Sequence, residues 1–312
     1  MRLIERGSGS PRVAVVGGIH GDEPAGEIIV ERLIADLSVD SGTVQLLIAN
    51  EPALAAGTRY TETDLNRAFP GDPDSNDYEA VLATRVMQVL EGADAVLAIH
   101  TSRSVPPPFA IFSERTAPVR RTVTALPVEY VVDASGLRST TMDSMLPHTV
   151  SIEAGKQGSD EAVEFGTECA YAFLRAHGIL RDSEPTFAPK QIVRAIEEVP
   201  KSGGDPHLYY HNFEAIPEGA VFAEDDEYTH RVESEGVVPI LASEHGYDDI
   251  FGLYGEFDGT LDPPETETPP SDDMNGEASA EHEGTTHPEA NGNPQPGSAE
   301  GGVGTSPEAD GS

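Results

Sequence analysis

The sequence is poor in cysteine and tryptophan, and it contains no long apolar run. Its 312 residues include one cysteine, Cys169, and no tryptophan. A single cysteine cannot form an internal disulfide, so we expect a reducing compartment and a cytoplasmic protein. No apolar stretch approaches the ~18 residues of a membrane span, and no signal-peptide pattern opens the chain. A membrane partner is therefore not expected.

Positive charge is also scarce. Against 55 Asp and Glu the chain has 19 Lys and Arg, for a formal net charge of -36. Nucleic acid and anionic membrane surfaces would repel such a chain, so neither is expected as a partner. Only Lys156, Lys190 and Lys201 are lysines. An acidic, lysine-poor surface stays hydrated in concentrated salt, which predicts a salt-accumulating organism. An ordinary acidic protein is the alternative.

The first zone of the chain, residues 1–185, alternates predicted strands with predicted helices. This alternation is typical of an α/β fold with a mixed, mostly parallel sheet flanked by helices. We expect this zone to be the catalytic domain. The predicted strands are Arg12–Gly17, Thr43–Ala49, Ala95–Ile99, Phe109–Phe112, Glu129–Val132 and Thr149–Ile152. The predicted helices carry the apolar stripe Ala25, Ile28, Ile29, Leu33 and Leu37, or cover Tyr78–Leu90 and Glu161–Ala176.

Two zones of different composition follow. Residues 190–258 contain short β-prone runs between Gly, Pro and acidic turns, which predict a small β domain. Residues 259–312 carry 12 Asp and Glu but neither Lys nor Arg. Such a segment cannot bury enough apolar surface to fold, so we expect a disordered acidic tail. The predicted strands of the β zone are Gln191–Val199, Ala220–Ala223, Thr229–Val232 and Val237–Leu241.

Three residues with metal-binding side chains lie at predicted strand ends. His20 and Glu23 follow one strand, and His100 closes another. Sites in open α/β sheets form where strands end. Two histidines and one glutamate are a catalytic zinc set, whereas a structural zinc site usually needs cysteines that this chain lacks. Each residue alone also fits a structural role; Glu23, for example, could favour the positive end of the following helix.

Polar residues elsewhere suit the same chemistry. The segment Arg59–Arg67 is a polar loop with two arginines and Asn66. A guanidinium can bind a carboxylate or stabilise an oxyanion, although a surface ion pair is the alternative. Glu153 follows the apolar run Thr149–Ile152. A carboxylate at a strand end beside a metal can act as a general base.

Four segments, in this order, resemble the succinylglutamate desuccinylase/aspartoacylase family, which has a zinc-carboxypeptidase-like fold. The resemblance extends from about Val13 to Gly255. It implies a zinc-dependent hydrolase, with one Zn²⁺ per subunit, that cleaves the amide bond of a small N-acyl amino acid. The segments are Gly-Gly-Ile-His-Gly-Asp-Glu at 17–23, Arg-Tyr-x-x-x-Asp-Leu-Asn-Arg at 59–67, His100 after its strand, and Ile-Glu-Ala-Gly at 152–155.

The resemblance also implies a role for each matching residue. Residues 190–258 would border the active site. Glu153 would act first as general base and then as proton donor. The other implied roles are zinc ligation by His20, Glu23 and His100, polarisation of the scissile carbonyl by Arg59, and substrate binding by Asn66, Arg67 and Tyr247.

One departure from the family pattern leaves the acyl group and the amino acid open. Aspartoacylases place a carboxylate-binding arginine shortly after a Thr-Thr pair. Here Thr140-Thr141 is followed by Met142 and Asp143, and Arg138 precedes the pair at a different spacing. A preference for N-acetylaspartate is therefore not implied.

Other readings remain open. A zinc carboxypeptidase or another amidohydrolase could use the same fold. A non-catalytic metal- or ligand-binding relative would lack a ligand or the general base, and each of those positions is filled here. The composition and the resemblance together favour a halophilic archaeal source, and the sequence leaves a homo-oligomer open.

Overall fold

The computed structural model describes residues 1–104, 107–137, 139–247 and 249–264. They fall within one compact unit, Met1–Thr266. Most of the predicted acidic tail, and Arg138, lie outside the described residues. Within the described part of the chain, no helix is long and apolar enough to cross a membrane.

The order of elements follows the predicted alternation. The helices are α1 (Pro24–Asp36), α2 (Glu51–Ala56), α3 (Tyr78–Leu90), α4 (Ala117–Ala125), α5 (Met142–Met145) and α6 (Asp160–Ala176), with a 3-10 turn at Leu65–Arg67. The strands are β1 (Arg2–Ser8), β2 (Arg12–Gly17), β3 (Gly42–Ile48), β4 (Ala95–Ser102), β5 (Phe109–Phe112), β6 (Tyr130–Asp133), β7 (Thr149–Lys156), β8 (Lys190–Pro200), β9 (His207–Leu208), β10 (Val221–Glu224), β11 (Thr229–Arg231), β12 (Val237–Ile240) and β13 (Ile250–Leu261).

Ten strands form one large sheet, in the order β1-β3-β2-β4-β7-β5-β6-β8-β13-β12. Strands β3, β2, β4 and β7 are parallel neighbours, as are β5, β6 and β8. The edge strand β1, the β5–β7 pair and the β8–β13–β12 end are antiparallel. The predicted mixed, mostly parallel sheet flanked by helices is confirmed.

Strand β2 shows how the sheet is covered on both faces. Val13 and Val15 belong to an apolar cluster that includes residues of α1, α4 and α6. Ala14 and Val16 belong to a second cluster, with residues of α3 and α5. Because successive side chains of a strand point to opposite faces, β2 is buried between two layers of helices. This explains why its sequence is a continuous apolar run rather than an alternating one.

The zone after residue 190 contributes to two sheets. Strands β8, β12 and β13 extend the large sheet, while β9, β10 and β11 form a separate three-stranded antiparallel sheet. Strand β13 runs to Leu261, three residues into the segment 259–312 that we expected to be a tail. The division of the chain into domains remains a prediction.

Candidate metal centre and active-site cleft

The candidate site lies where parallel strands end. Strand β2 lies between β3 and β4 in the sheet. The chain therefore crosses from β2 to β3 on one side and later adds β4 on the other side of β2. Loops diverge at such a switch point, and ligands bind in the crevice that results. His20 and Glu23 follow β2, and His100 lies in β4. Glu153, in β7, is the register partner of His100.

The turn between β2 and α1 places Glu23. Gly18 has φ +66° and a built Cβ would lie 2.7 Å from Leu54, so only glycine fits there without strain. Glu23 occupies the N-cap position of α1, yet its side chain makes no cap hydrogen bond. Its carboxylate therefore points to other partners. Stabilising the N-terminal end of α1 therefore does not account for the position of the Glu23 carboxylate.

The three predicted ligands lie together and are buried. Glu23 Oε1 is 2.7 Å from His20 Nδ1, and Glu23 Oε2 is 3.3 Å from His100 Nδ1. One ligand atom from each residue lies within 4.8 Å of the others. The exposed fractions of His20, Glu23 and His100 are 3%, 6% and 5%. The set thus presents two imidazole nitrogens and one carboxylate to a common point.

Asp64 is a functional candidate that the sequence reasoning did not single out. Its Oδ1 lies 3.1 Å from His20 Nε2, and its Oδ2 accepts a 2.9 Å hydrogen bond from Arg59 Nε. A histidine that binds a metal usually donates a hydrogen bond from its second ring nitrogen to such a carboxylate, which fixes the orientation of the ring and its tautomer. Only its place within the Asp-Leu-Asn-Arg segment could have pointed to it.

The pKa values of the cluster reflect mutual attraction. Burial alone would lower the pKa of His20, but Glu23 and Asp64 outweigh it and raise that pKa to about 9. Burial alone would raise the pKa of Glu23, but His20 and His100 hold it well below its usual range. The carboxylate of Glu23 is therefore held ionised between the imidazoles of His20 and His100.

The donor set fits a zinc ion. Zinc binds imidazole nitrogen and carboxylate oxygen, and catalytic sites use three protein ligands. His20, Glu23 and His100 could provide those three ligands, and Asp64 lies at the second nitrogen of His20.

Glu153 lies beside this set as a buried carboxyl group. Its Oε2 is shielded from solvent and accepts no hydrogen bond from the described residues. Burial, followed by the nearby negative charge of Glu23, raises the pKa of Glu153 to about 8. A buried polar atom without a partner is costly and is typical of a group that acts on a bound molecule.

The loop at 59–67 brings two guanidinium groups to the cleft. Arg59 Nη1 lies 3.3 Å from Glu23 Oε1, in addition to its bond with Asp64. Arg67 Nη1 donates a 2.8 Å hydrogen bond to the carbonyl of Asn66. Asn66 Oδ1 accepts a 2.9 Å hydrogen bond from the backbone N–H of Met142, so part of the Asn66 amide joins two loops.

All eight residues named from the sequence line one cleft of about 800 Å³. This volume suits a small ligand. Tyr247 reaches it from the segment between β12 and β13. The rim of the cleft also contains Arg103, which the sequence analysis did not single out. Its Nη2 lies 2.9 Å from Asp22 Oδ2, and its Nε lies 3.2 Å from Gln157 Oε1.

A parallel sheet with a buried His/Glu/His set at its switch point defines a class of α/β proteins with a candidate mononuclear metal centre. Comparison with known proteins narrows the class. A model of the succinylglutamate desuccinylase/aspartoacylase catalytic domain matches residues 9–173. The chain belongs to this family.

Individual relatives agree with this family. The chain is 27% identical to a succinylglutamate desuccinylase of Burkholderia lata over 261 residues, 70% of this chain and 71% of that protein. It is 33% identical to an N-alpha-acetyl-L-2,4-diaminobutyric acid deacetylase of Halomonas elongata over 105 residues, 32% of this chain and only 30% of that protein.

Solved structures share the fold. A succinylglutamate desuccinylase/aspartoacylase from Rhodobacter sphaeroides aligns with a TM-score of 0.64 and 22% identity, covering 84% of this chain and 89% of that one. Murine aminoacylase 3 aligns with a TM-score of 0.67 and 20% identity, covering 82% of this chain and 99% of that one.

Proposed function

We propose that this protein hydrolyses the amide bond of a small N-acyl amino acid, with one zinc ion held by His20, Glu23 and His100. The observation that carries the proposal is the buried Oε2 of Glu153, which has no hydrogen-bond partner among the described residues, beside a trio that could hold a metal ion. The names of the relatives support an N-acyl amino acid as the substrate class.

Each predicted side chain has a role in the proposed reaction. A zinc ion in this set would act as a Lewis acid. Glu153 would take a proton from the attacking water and return it to the leaving amine. Arg59 can stabilise charge that develops on the carbonyl oxygen, because it lies beside Glu23. Asn66, Arg67 and Tyr247 line the cleft, where they would contact the substrate.

Glu153→Gln tests the proposal. The amide keeps the shape of the side chain but cannot accept a proton, so we expect zinc stoichiometry to be retained and kcat to fall on the order of 10²–10⁴-fold. Glu164→Gln is the matched control, since Glu164 is exposed on the surface and pairs with Arg32. Near-normal turnover by Glu153→Gln, measured as release of amino acid from N-acetyl and N-succinyl substrates, would contradict its role. Release from peptides instead would favour a carboxypeptidase.

We also propose that the protein works in the cytoplasm of a salt-accumulating organism, a halophilic archaeon. The net charge of -36 supports this, because concentrated salt shortens the screening distance to about 3 Å at 1 M and relieves self-repulsion. The free energy of unfolding should then rise as KCl is added. A protein equally stable in dilute buffer would argue against it.

A further inference from the structure

Asp143 is a carboxylate in the cleft that the proposed reaction does not use. It lies in α5, one residue beyond Met142, and is 8% exposed. Its Oδ2 accepts a 2.5 Å hydrogen bond from Ser113 Oγ, and both residues line the cleft. Among the described residues, no Lys or Arg nitrogen lies within 4.0 Å of the Asp143 carboxylate. No described residue donates a hydrogen bond to Asp143 Oδ1.

The packing of Met142 fixes where Asp143 points. The Met142 side chain is 1% exposed and belongs to the apolar cluster beneath α3. Its backbone N–H bonds Asn66 Oδ1 at 2.9 Å. The start of α5 is therefore tied to the loop that carries Arg67. As a result, Asp143 rather than Met142 faces the cleft. It does so close to Thr140-Thr141, where the family resemblance leads one to expect an arginine.

The arginines of the cleft differ in whether they bond to a carboxylate. Arg59 is bonded to Asp64 and lies beside Glu23, and Arg103 is bonded to Asp22. By contrast, the hydrogen bond of Arg67 goes to a neighbouring backbone carbonyl, and no described carboxylate forms an ion pair with it. Among the described residues, the cleft thus offers one guanidinium and one nearly buried carboxylate that form no ion pair, Arg67 and Asp143.

From this pair we infer that the cleft selects an N-acyl amino acid whose side chain carries a cation, with Asp143 as the specificity-determining residue. Arg67 would bind the α-carboxylate, and Asp143 would bind the side-chain ammonium. A substrate with a second carboxylate would place it against Asp143, and like charges in a partly buried cleft repel. This inference rests on the proposed function for the identity of the scissile bond, but the charge selection can be measured without turnover.

Calorimetric titration of the zinc-loaded full-length protein with free amino acids provides that measurement. L-2,4-Diaminobutyrate, L-2-aminobutyrate and L-aspartate differ mainly in the side-chain group. We expect the diamino acid to bind at least about tenfold more tightly than the neutral amino acid, because a hydrogen bond to a charged group is worth about 1.5–3 kcal/mol. Aspartate should bind most weakly.

Variants assign the preference to one side chain. Asp143→Asn should bring the affinities for the diamino acid and the neutral amino acid within about threefold of one another, and Asp143→Glu should restore part of the preference. Asp133→Asn is the matched control, because Asp133 is equally buried but pairs with Arg115 outside the cleft. That variant should keep the wild-type ratio.

The outcomes separate the two proposals. Equal binding of all three amino acids, or tighter binding of aspartate, would overturn the inference even if N-acyl substrates are hydrolysed. A preference for the diamino acid that survives in Asp143→Asn would also overturn it. If the preference holds and depends on Asp143 while no N-acyl amino acid is hydrolysed, the proposed function fails and the charge selection stands.

Discussion

Two trios of acidic or imidazole side chains bring ligand-type atoms together, and they differ in how far protein donors already occupy those atoms. The ligand trio is His20, Glu23 and His100, and the acidic trio is Glu62, Asp77 and Glu79. In each trio, ligand-type atoms lie within 4.8 Å of one another. Proximity therefore does not distinguish them.

The difference lies in what else bonds to these atoms. Glu79, fully buried, accepts hydrogen bonds from the N–H and hydroxyl of Thr61 at 2.7 Å, from Asn50 Nδ2 at 3.0 Å and from the N–H of Glu62 at 3.1 Å. Asp77 caps α3 through the N–H of Ala80. These lone pairs are already taken by protein donors. The carboxylate of Glu23 instead faces two imidazoles, and its other partners are Arg59 and the backbone N–H of Thr101.

Glu79 of the acidic trio supports the ligand trio indirectly, through the segment 59–64. Glu79 holds residues 61–63, which lie directly between Arg59 and Asp64. Asn50, the other partner of Glu79, also donates its backbone N–H to the carbonyl of Gly18 in the turn before His20. Glu79 thus helps to position Arg59 and Asp64, which contact Glu23 and His20.

The largest effect should come from breaking the ligand trio. His100→Ala removes one of three ligands, so we expect loss of bound zinc and a fall in kcat on the order of a thousandfold, since a Lewis acid contributes several kcal/mol. Metal analysis of the purified protein, together with turnover, measures both. Glu62→Gln is the control from the acidic trio and should keep full zinc stoichiometry. Loss of zinc in Glu62→Gln would show that the acidic trio binds metal after all.

A smaller effect should follow from weakening the support. Glu79→Gln keeps the shape but replaces a charged acceptor of several hydrogen bonds, which should cost about 2 kcal/mol of unfolding free energy. Zinc stoichiometry should be retained, and kcat/KM should fall about tenfold because Arg59 and Asp64 are held less well. Urea unfolding and steady-state kinetics measure the two effects. Unchanged kinetics with lowered stability would show that the loop keeps its position without Glu79.

The fold was largely readable because its strands are buried on both faces. Strand β2 and helix α3 begin and end where their apolar patterns predicted. The edge strand β1 was missed because its residues are half exposed, and the short helix α2 was missed because six residues carry too little periodicity. In α1, Ile28 is 40% exposed although it belongs to the predicted stripe.

The site was predictable only in part, for a physical reason. His20, Glu23 and His100 could be related because strand ends of a parallel sheet meet at one edge. Asp64, Glu79 and Asp143 contact residues that are distant in sequence, and no local spacing encodes such contacts. The family resemblance at Thr140-Thr141 drew attention to Met142. Helix α5, however, buries the Met142 side chain and exposes that of Asp143 to the cleft.

The smallest expected effect is a change in how the acidic trio responds to pH. Burial would raise the pKa of Glu79, but hydrogen bonds from Thr61, Asn50 and Thr63 outweigh it and hold that pKa below its usual value. The ionised form is therefore favoured in the folded state. Its stabilisation is fully present above the ordinary glutamate pKa of about 4.3 and is lost as pH falls through the lowered pKa of the folded state. The difference in unfolding free energy between wild type and Glu79→Gln should then shrink between neutral pH and about pH 3, as urea unfolding at each pH would measure. A difference that stays constant across this range would mean that the shape of the Glu79 side chain, rather than its charge, holds the loop.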